Sequence, residues 1–137
     1  MKKILIAEDS PVNRELLREL LEMQDYEVFE AGNGQEALDM LDQLRPDLLI
    51  LDLGMPVLDG FGAIRKIRAD PMFAGLPVLA ATAYAMRGDR EKTLEAGFDG
   101  YVSKPIEPAA LKQEITRLLS TQVDKTVSAK AAGTATG

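Results

Sequence analysis

The stretch Leu48-Leu49-Ile50-Leu51-Asp52-Leu53-Gly54-Met55-Pro56-Val57-Leu58-Asp59-Gly60 decides the fold. Four bulky apolar residues in a row describe a strand buried on both faces, the habit of a parallel sheet covered by helices on either side. That strand runs straight into a carboxylate, then into glycine, proline and a second aspartate, which are turn and loop residues. A charge at the end of a core strand is costly unless something compensates it. The rest of the chain must supply the compensation.

Outward from this strand, short apolar runs alternate with helical patterns. KILIA (3–7) reads as a buried strand, and Ser10-Pro11 as an N-cap and first helical residue. Val12, Leu16, Leu17, Leu20 and Leu21 follow at helical spacing. YEVFEA (26–31) alternates like an edge strand, and AGNG turns the chain. Ala37, Leu38, Leu41 and Leu44 mark a second helix closed by Pro46; Phe61, Ile64 and Ile67 mark a third, ending near Asp70-Pro71. PVLAAT (77–82) is a fourth strand and GYVS (100–103) a short fifth. Between them, about Met86 to Ala96, lies a weak helix whose only large apolar residue after Met86 is Leu94, so it is expected to be thinly anchored and easily opened. Leu111, Ile115, Leu118 and Leu119 mark the last helix. The fold class is therefore α/β, a five-stranded parallel sheet with helices on both faces. The division expected is one domain over 1–120 and a small, polar, flexible tail over 121–137.

Composition narrows the chemistry. The 137 residues contain no cysteine and no histidine, which excludes disulfides, thiolate metal sites, histidine triads and histidine zinc sites. Sixteen basic residues against 22 acidic give a net charge of −6, unsuited to neutralising nucleic-acid phosphates. The apolar run Ile4 to Ala7 is too short for a signal peptide, and nothing approaches a membrane span. A cytoplasmic location is expected, with neither nucleic acid nor membrane as a partner.

In open α/β sheets, ligands bind beyond the carboxyl ends of the strands. Those ends carry Glu8-Asp9 after the first strand, Asp52 after the third, Thr82 after the fourth and Ser103-Lys104-Pro105 after the fifth. Two like charges about 4 Å apart repel by roughly 4 kcal/mol at an effective dielectric near 20, so three clustered acids need a cation. Hard oxygen ligands with room left for water and phosphate suit Mg²⁺. Lys104 adds a positive charge and Thr82 a hydroxyl donor toward an incoming anion. This is the composition of a phosphoryl-transfer site with Asp52 as nucleophile.

AEDS after the first strand, LDLGMPVLDG, ATAYAMRGD and GYVSKPI, in this order and spacing over about residues 1–119, resemble the receiver domain of bacterial two-component response regulators. The pattern is that of chemotaxis-regulator-like receivers, and is similar to single-domain regulators of cell polarity and division and to receivers of hybrid kinases. The resemblance implies a doubly wound, flavodoxin-like (βα)5 sheet of order 2-1-3-4-5. It implies that Asp52 is the phosphoacceptor, and that Glu8, Asp9 (the more direct ligand), Asp52 and the Gly54 carbonyl hold Mg²⁺. Thr82 would move onto the phosphoryl group, Lys104 would pair with it through a cis Lys104–Pro105 segment, and Tyr101 would turn inward on activation. The partners implied are a histidine kinase or histidine phosphotransfer protein upstream and an effector protein downstream. The effector would meet the surface built by the weak helix, the fifth strand and the last helix.

Each residue has a plainer reading. Alone, Asp9 and Asp59 suit helix N-termini, Glu8 a solvated surface, Asp52 a turn, Thr82 a strand end, Lys104 the surface and Tyr101 strand packing; together the four motifs reverse the balance at the rim. A Mg²⁺-dependent phosphatase of the haloacid-dehalogenase kind also carries an aspartate at a strand end, but resembles D-x-D where this chain has Gly54. A receiver cut from a hybrid sensor kinase and a non-phosphorylated module of the same fold are further alternatives. The leading expectation is a phosphoacceptor that assists its own phosphorylation and autodephosphorylation, not an enzyme acting on a separate substrate. Gly54 and Tyr84, flanking the path of the hydrolytic water, would make the phosphorylated state long-lived.

Overall fold

The computed structural model describes residues 1–55, 57–83 and 89–132, with side chains through Ser120 except at Asp89. Strands and helices alternate: β1 (Lys3–Ala7), α1 (Pro11–Glu22), β2 (Glu27–Ala31), α2 (Gly34–Leu44), β3 (Leu48–Asp52), α3 (Gly60–Ala69), β4 (Val78–Thr82), α4 (Asp89–Glu95), β5 (Gly100–Ser103) and α5 (Pro108–Ala132). The five strands pair in parallel in the order β2-β1-β3-β4-β5. Every residue of β3 and β4 is buried, as their unbroken apolar runs require, whereas β2 exposes Glu27 and lies at the edge.

Because side chains alternate across a strand, the sheet feeds two cores. Leu5, Leu49, Leu51, Val78 and Ala80 pack with Ala37, Leu41, Ile64 and Ile67, so α2 and α3 cover one face. Ile4, Ile6, Leu48, Ile50 and Leu79 pack with Leu17, Leu21, Leu111, Ile115 and Leu118, so α1 and α5 cover the other. The N-caps follow local chemistry: Ser10, Asn33 and Asp59 each accept a backbone N–H from three residues on.

Several boundaries differ from the sequence reading. β2 and β4 each begin one residue later, at Glu27 and Val78. Val12 and Leu16 belong to the apolar pattern of α1, yet both are exposed; only Leu17 and Leu21 are buried in that helix. The described part of the weak helix is the short α4, with Leu94 39 % exposed; Tyr84 and Met86 lie outside the described residues. The largest difference is at the C-terminus. Where a tail is expected from residue 121, the backbone of α5 runs on to Ala132. No glycine or proline interrupts the chain between Pro108 and Gly133, so nothing in the backbone stops the helix. No helix among the described residues is long and apolar enough to cross a membrane.

Candidate functional site: an acidic rim with one lysine

The strand order reverses between β1 and β3, and the carboxyl ends of these two strands carry Glu8, Asp9 and Asp52. Their carboxylate oxygens lie within 4.8 Å of one another. Asp9 is exposed, while Glu8 and Asp52 are 1 % and 8 % exposed. The local reading of Glu8 as a surface acid is thus overturned by its surroundings. Its carboxylate accepts the Ser10 N–H at 3.2 Å and an ion-pair hydrogen bond from Lys104 Nζ, and its carbonyl accepts from Arg14 Nη1 at 2.9 Å. The role of Ser10 in holding Glu8 was missed in the sequence, although a carboxylate two residues before an N-cap is a usable signal.

Asp52 sits between a loop and a lysine. Its Oδ1 accepts the Gly54 N–H at 3.1 Å, and its Oδ2 lies 3.1 Å from Lys104 Nζ. Lys104 reaches both acids from the end of β5, where its backbone N–H donates to the Thr82 carbonyl at 2.7 Å and the Lys104–Pro105 bond is cis. Thr82 is buried at the end of β4. Tyr101, on β5 opposite Ala80, is half-buried against the α2–α3 core. The structure therefore brings Glu8, Asp9, Asp52 and Lys104 to one rim, with Thr82 on the neighbouring strand end and Tyr101 further along β5.

The loop after Asp52 is pressed against α2. A side-chain carbon on Gly34 would stand 2.3 Å from the Leu58 carbonyl, so the backbone approach there requires glycine. Val57 in the same loop has φ 70° with its side chain in solvent.

The electrostatics of the two buried acids diverge. Burial pushes the Glu8 carboxyl up; Lys104 and the Ser10 amide pull it down without offsetting the rise, to which Asp52 adds. Burial also pushes Asp52 up, but the Gly54 amide, the Glu8 carboxyl and Lys104 together hold it below its ordinary range. Burial would lower Lys104, yet its two carboxylate partners keep it raised and charged. Of the two buried acids, Asp52 is thus the one whose ionised, nucleophilic form the surroundings favour more. One ammonium faces three carboxylates, and the resulting excess negative charge, the exposed third acid and the all-oxygen donor set fit a hard divalent cation that keeps several waters.

A family model for the response regulator receiver domain matches residues 4–116. The polar-differentiation response regulator DivK of Brucella anthropi is 39 % identical over 105 residues, covering 77 % of this chain and 85 % of its own. The receiver domain of a sensor histidine kinase from Pseudomonas aeruginosa, solved with a magnesium ion coordinated in its active-site cleft, superposes with a TM-score of 0.80 at 36 % identity, over 87 % of this chain and 98 % of that one. Chemotaxis response regulator CheY4 of Vibrio cholerae gives 0.80 at 30 % identity, over 86 % and 98 %. With a family match over most of its length, a sheet of the same order and an acidic rim at the switch point, the chain belongs to the receiver domains of two-component response regulators.

Proposed function

We propose that Asp52 accepts a phosphoryl group from a histidine kinase or histidine phosphotransfer protein in the cytoplasm, and that the chain passes the signal on through protein contacts of the α4-β5-α5 face rather than through nucleic acid. The observation that carries this reading is the Asp52 carboxylate at the end of β3, 3.1 Å from Lys104 and grouped with Glu8 and Asp9. A carboxylate oxygen of Asp52 attacks phosphorus as the P–N bond of the donor phosphohistidine breaks, its electron pair returning to the imidazole. Lys104 then pairs with a phosphoryl oxygen, and the Thr82 hydroxyl donates to another. Mg²⁺, held by Asp9, Glu8, Asp52 and the Gly54 carbonyl, would supply neutralisation of charge on the transferring oxygens. Movement of Thr82 toward the phosphoryl group leaves room for Tyr101, which shifts the population of the α4-β5 surface.

The test is incubation with acetyl phosphate and Mg²⁺, followed by intact-mass or phosphate-affinity gel analysis. Wild type is expected to gain one acid- and base-labile phosphoryl group; Asp52→Asn, and wild type without Mg²⁺, gain none. Equal labelling of Asp52→Asn overturns the assignment. The lifetime reading has its own check: Tyr84→Glu is expected to lose the phosphoryl group faster than wild type in excess Mg²⁺, because an acidic side chain there orients the attacking water that a large ring shields. Slower loss in the variant reverses the role given to Gly54 and Tyr84.

A further inference from the structure

Among the described residues four polar side chains are buried: Glu8, Asp52 and Thr82 at the rim, and Thr93. Thr93 lies in α4 with 0 % exposure, and its Oγ1 has no hydrogen-bond partner among the described residues. The large apolar residue of this helix, Leu94, is 39 % exposed. So α4 buries a hydroxyl and leaves a leucine partly in water. Both choices run against the energetics of burial, which favour removing apolar surface from water and penalise an unpaired polar group. Buried polar groups in native proteins are nearly always paired, and an exception needs a physical reason.

The exit from α4 shows no such defect. Ala96 N–H donates to the Lys92 carbonyl at 3.0 Å, Gly97 N–H to Leu94 at 3.1 Å and Phe98 N–H to Thr93 at 3.3 Å. Gly97, at φ 118°, turns the chain toward β5, and Phe98 is buried edge-on against Phe61 with ring centroids 6.1 Å apart. The C-terminal end of the helix is thus firmly anchored, while the body in front of it occupies a poor seat.

We infer that Thr93 is a built-in destabiliser of the position α4 occupies here. Its hydroxyl, without a partner among the described residues, raises the energy of this seat relative to positions in which the oxygen reaches water or a backbone carbonyl, and so keeps the helix ready to move. The effect belongs to α4 itself and operates without any phosphoryl group. That it also sets how strongly α4 responds to phosphorylation rests on the reading of Asp52 given above.

The experiment is amide hydrogen exchange on the full chain, first with no phosphate mimic. Thr93→Val keeps the shape and removes the hydroxyl; it is expected to slow exchange across residues 89–96 roughly tenfold and to raise the thermal midpoint. Thr93→Ser keeps the hydroxyl and is expected to exchange no more slowly than wild type. Unchanged or faster exchange in Thr93→Val overturns the inference, because the hydroxyl then has a partner or no influence; so does equal slowing in Thr93→Ser. With beryllofluoride and Mg²⁺ added, the change in exchange at residues 89–103 is expected to be smaller in Thr93→Val than in wild type. Wild type indifferent to the mimic counts against the proposed function, and the mimic-free comparison still decides the role of Thr93.

Discussion

Two polar centres stand at opposite ends of the sheet, and they are built on different principles. At the amino ends of β4 and β5, Arg68 donates from Nε to the Gly97 carbonyl at 2.8 Å and from Nη1 to Leu76 and Ala74 carbonyls at 2.7 and 3.1 Å. Its Nη2 pairs with Asp99 Oδ2 at 2.8 Å, and the same oxygen accepts the Val78 N–H at 2.9 Å. One cation meets one anion, and the remaining donors close loop carbonyls. At the carboxyl ends, one Lys104 serves Glu8 and Asp52 while Asp9 stands beside them, leaving two negative charges in excess. The clamp is saturated and holds α3, the loop before β4 and the loop before β5 together. The rim is unsaturated, and its excess charge is capacity for a ligand. A polar cluster whose charges cancel is architecture; one whose charges do not cancel points to function.

The largest effect is expected where the clamp loses its centre. Arg68→Met keeps the aliphatic stem and strands the loop carbonyls and Asp99 together, and should cost about 2–3 kcal/mol in urea unfolding. A loss too small to measure would mean that water replaces the guanidinium without penalty and that the clamp is incidental. Next in size is one chemical change made at both ends. Asp99→Asn keeps an acceptor for Val78 but leaves Arg68 without its anion, and should destabilise by about 1–2 kcal/mol. Glu8→Gln keeps one acceptor oxygen, for Lys104, and turns its amide toward the Ser10 N–H, but it removes a buried charge from an overcrowded site. The relief should exceed the lost amide bond and stabilise the protein in EDTA by at most about 1 kcal/mol. The same variant should bind Mg²⁺ at least about tenfold more weakly, read by titration calorimetry. Equal signs for the two substitutions would dissolve the contrast between clamp and rim.

The sequence exposes these two centres very unequally. The rim is legible because each of its members directly follows a strand that announces itself: Ile4 to Ala7 before Glu8, Leu48 to Leu51 before Asp52, and the 78–82 strand ending on Thr82. Caps at Ser10 and Asp59 are legible for the same reason, since a helix N-terminus is a local event. The clamp is not legible. Arg68 finds Gly97 and Asp99 some thirty residues away, and an arginine on an amphipathic helix otherwise reads as a solvated cation. The burial of Glu8 is hidden likewise, because its lysine arrives from β5, across the whole sheet. Val12 and Leu16 show the converse failure, where apolar periodicity exceeds the face that packs. The end of α5 at Ala132 is not marked in the apolar pattern, which stops at Leu119, although none of the small polar residues before Gly133 breaks a helix.

The smallest effect sharpens the comparison by measuring what an exposed extension of the clamp is worth. Arg117 donates from Nη2 to the Asp99 carbonyl at 3.0 Å and pairs through Nε with Glu114 at 2.7 Å, one turn earlier on α5. Burial pushes the Glu114 carboxyl up, but Arg117, the Tyr101 amide and Arg90 outweigh it and hold the group below its ordinary 4.5. A carboxyl held low in the folded state binds fewer protons there than in the unfolded chain. Its contribution is therefore complete above about pH 4.5 and is lost as pH falls through the lower folded value. Glu114→Gln should thus weaken the protein at pH 7 and make no difference once both forms of the wild-type group are protonated. Because Arg117 is 48 % exposed, water screens the pair, and the difference at pH 7 should stay below about 1 kcal/mol. Urea midpoints of wild type and Glu114→Gln at pH 7 and at pH 3 supply the check. A gap as large as that of Asp99→Asn would place Glu114 inside the clamp, and a gap that widens on acidification would reverse the sign argued for its carboxyl.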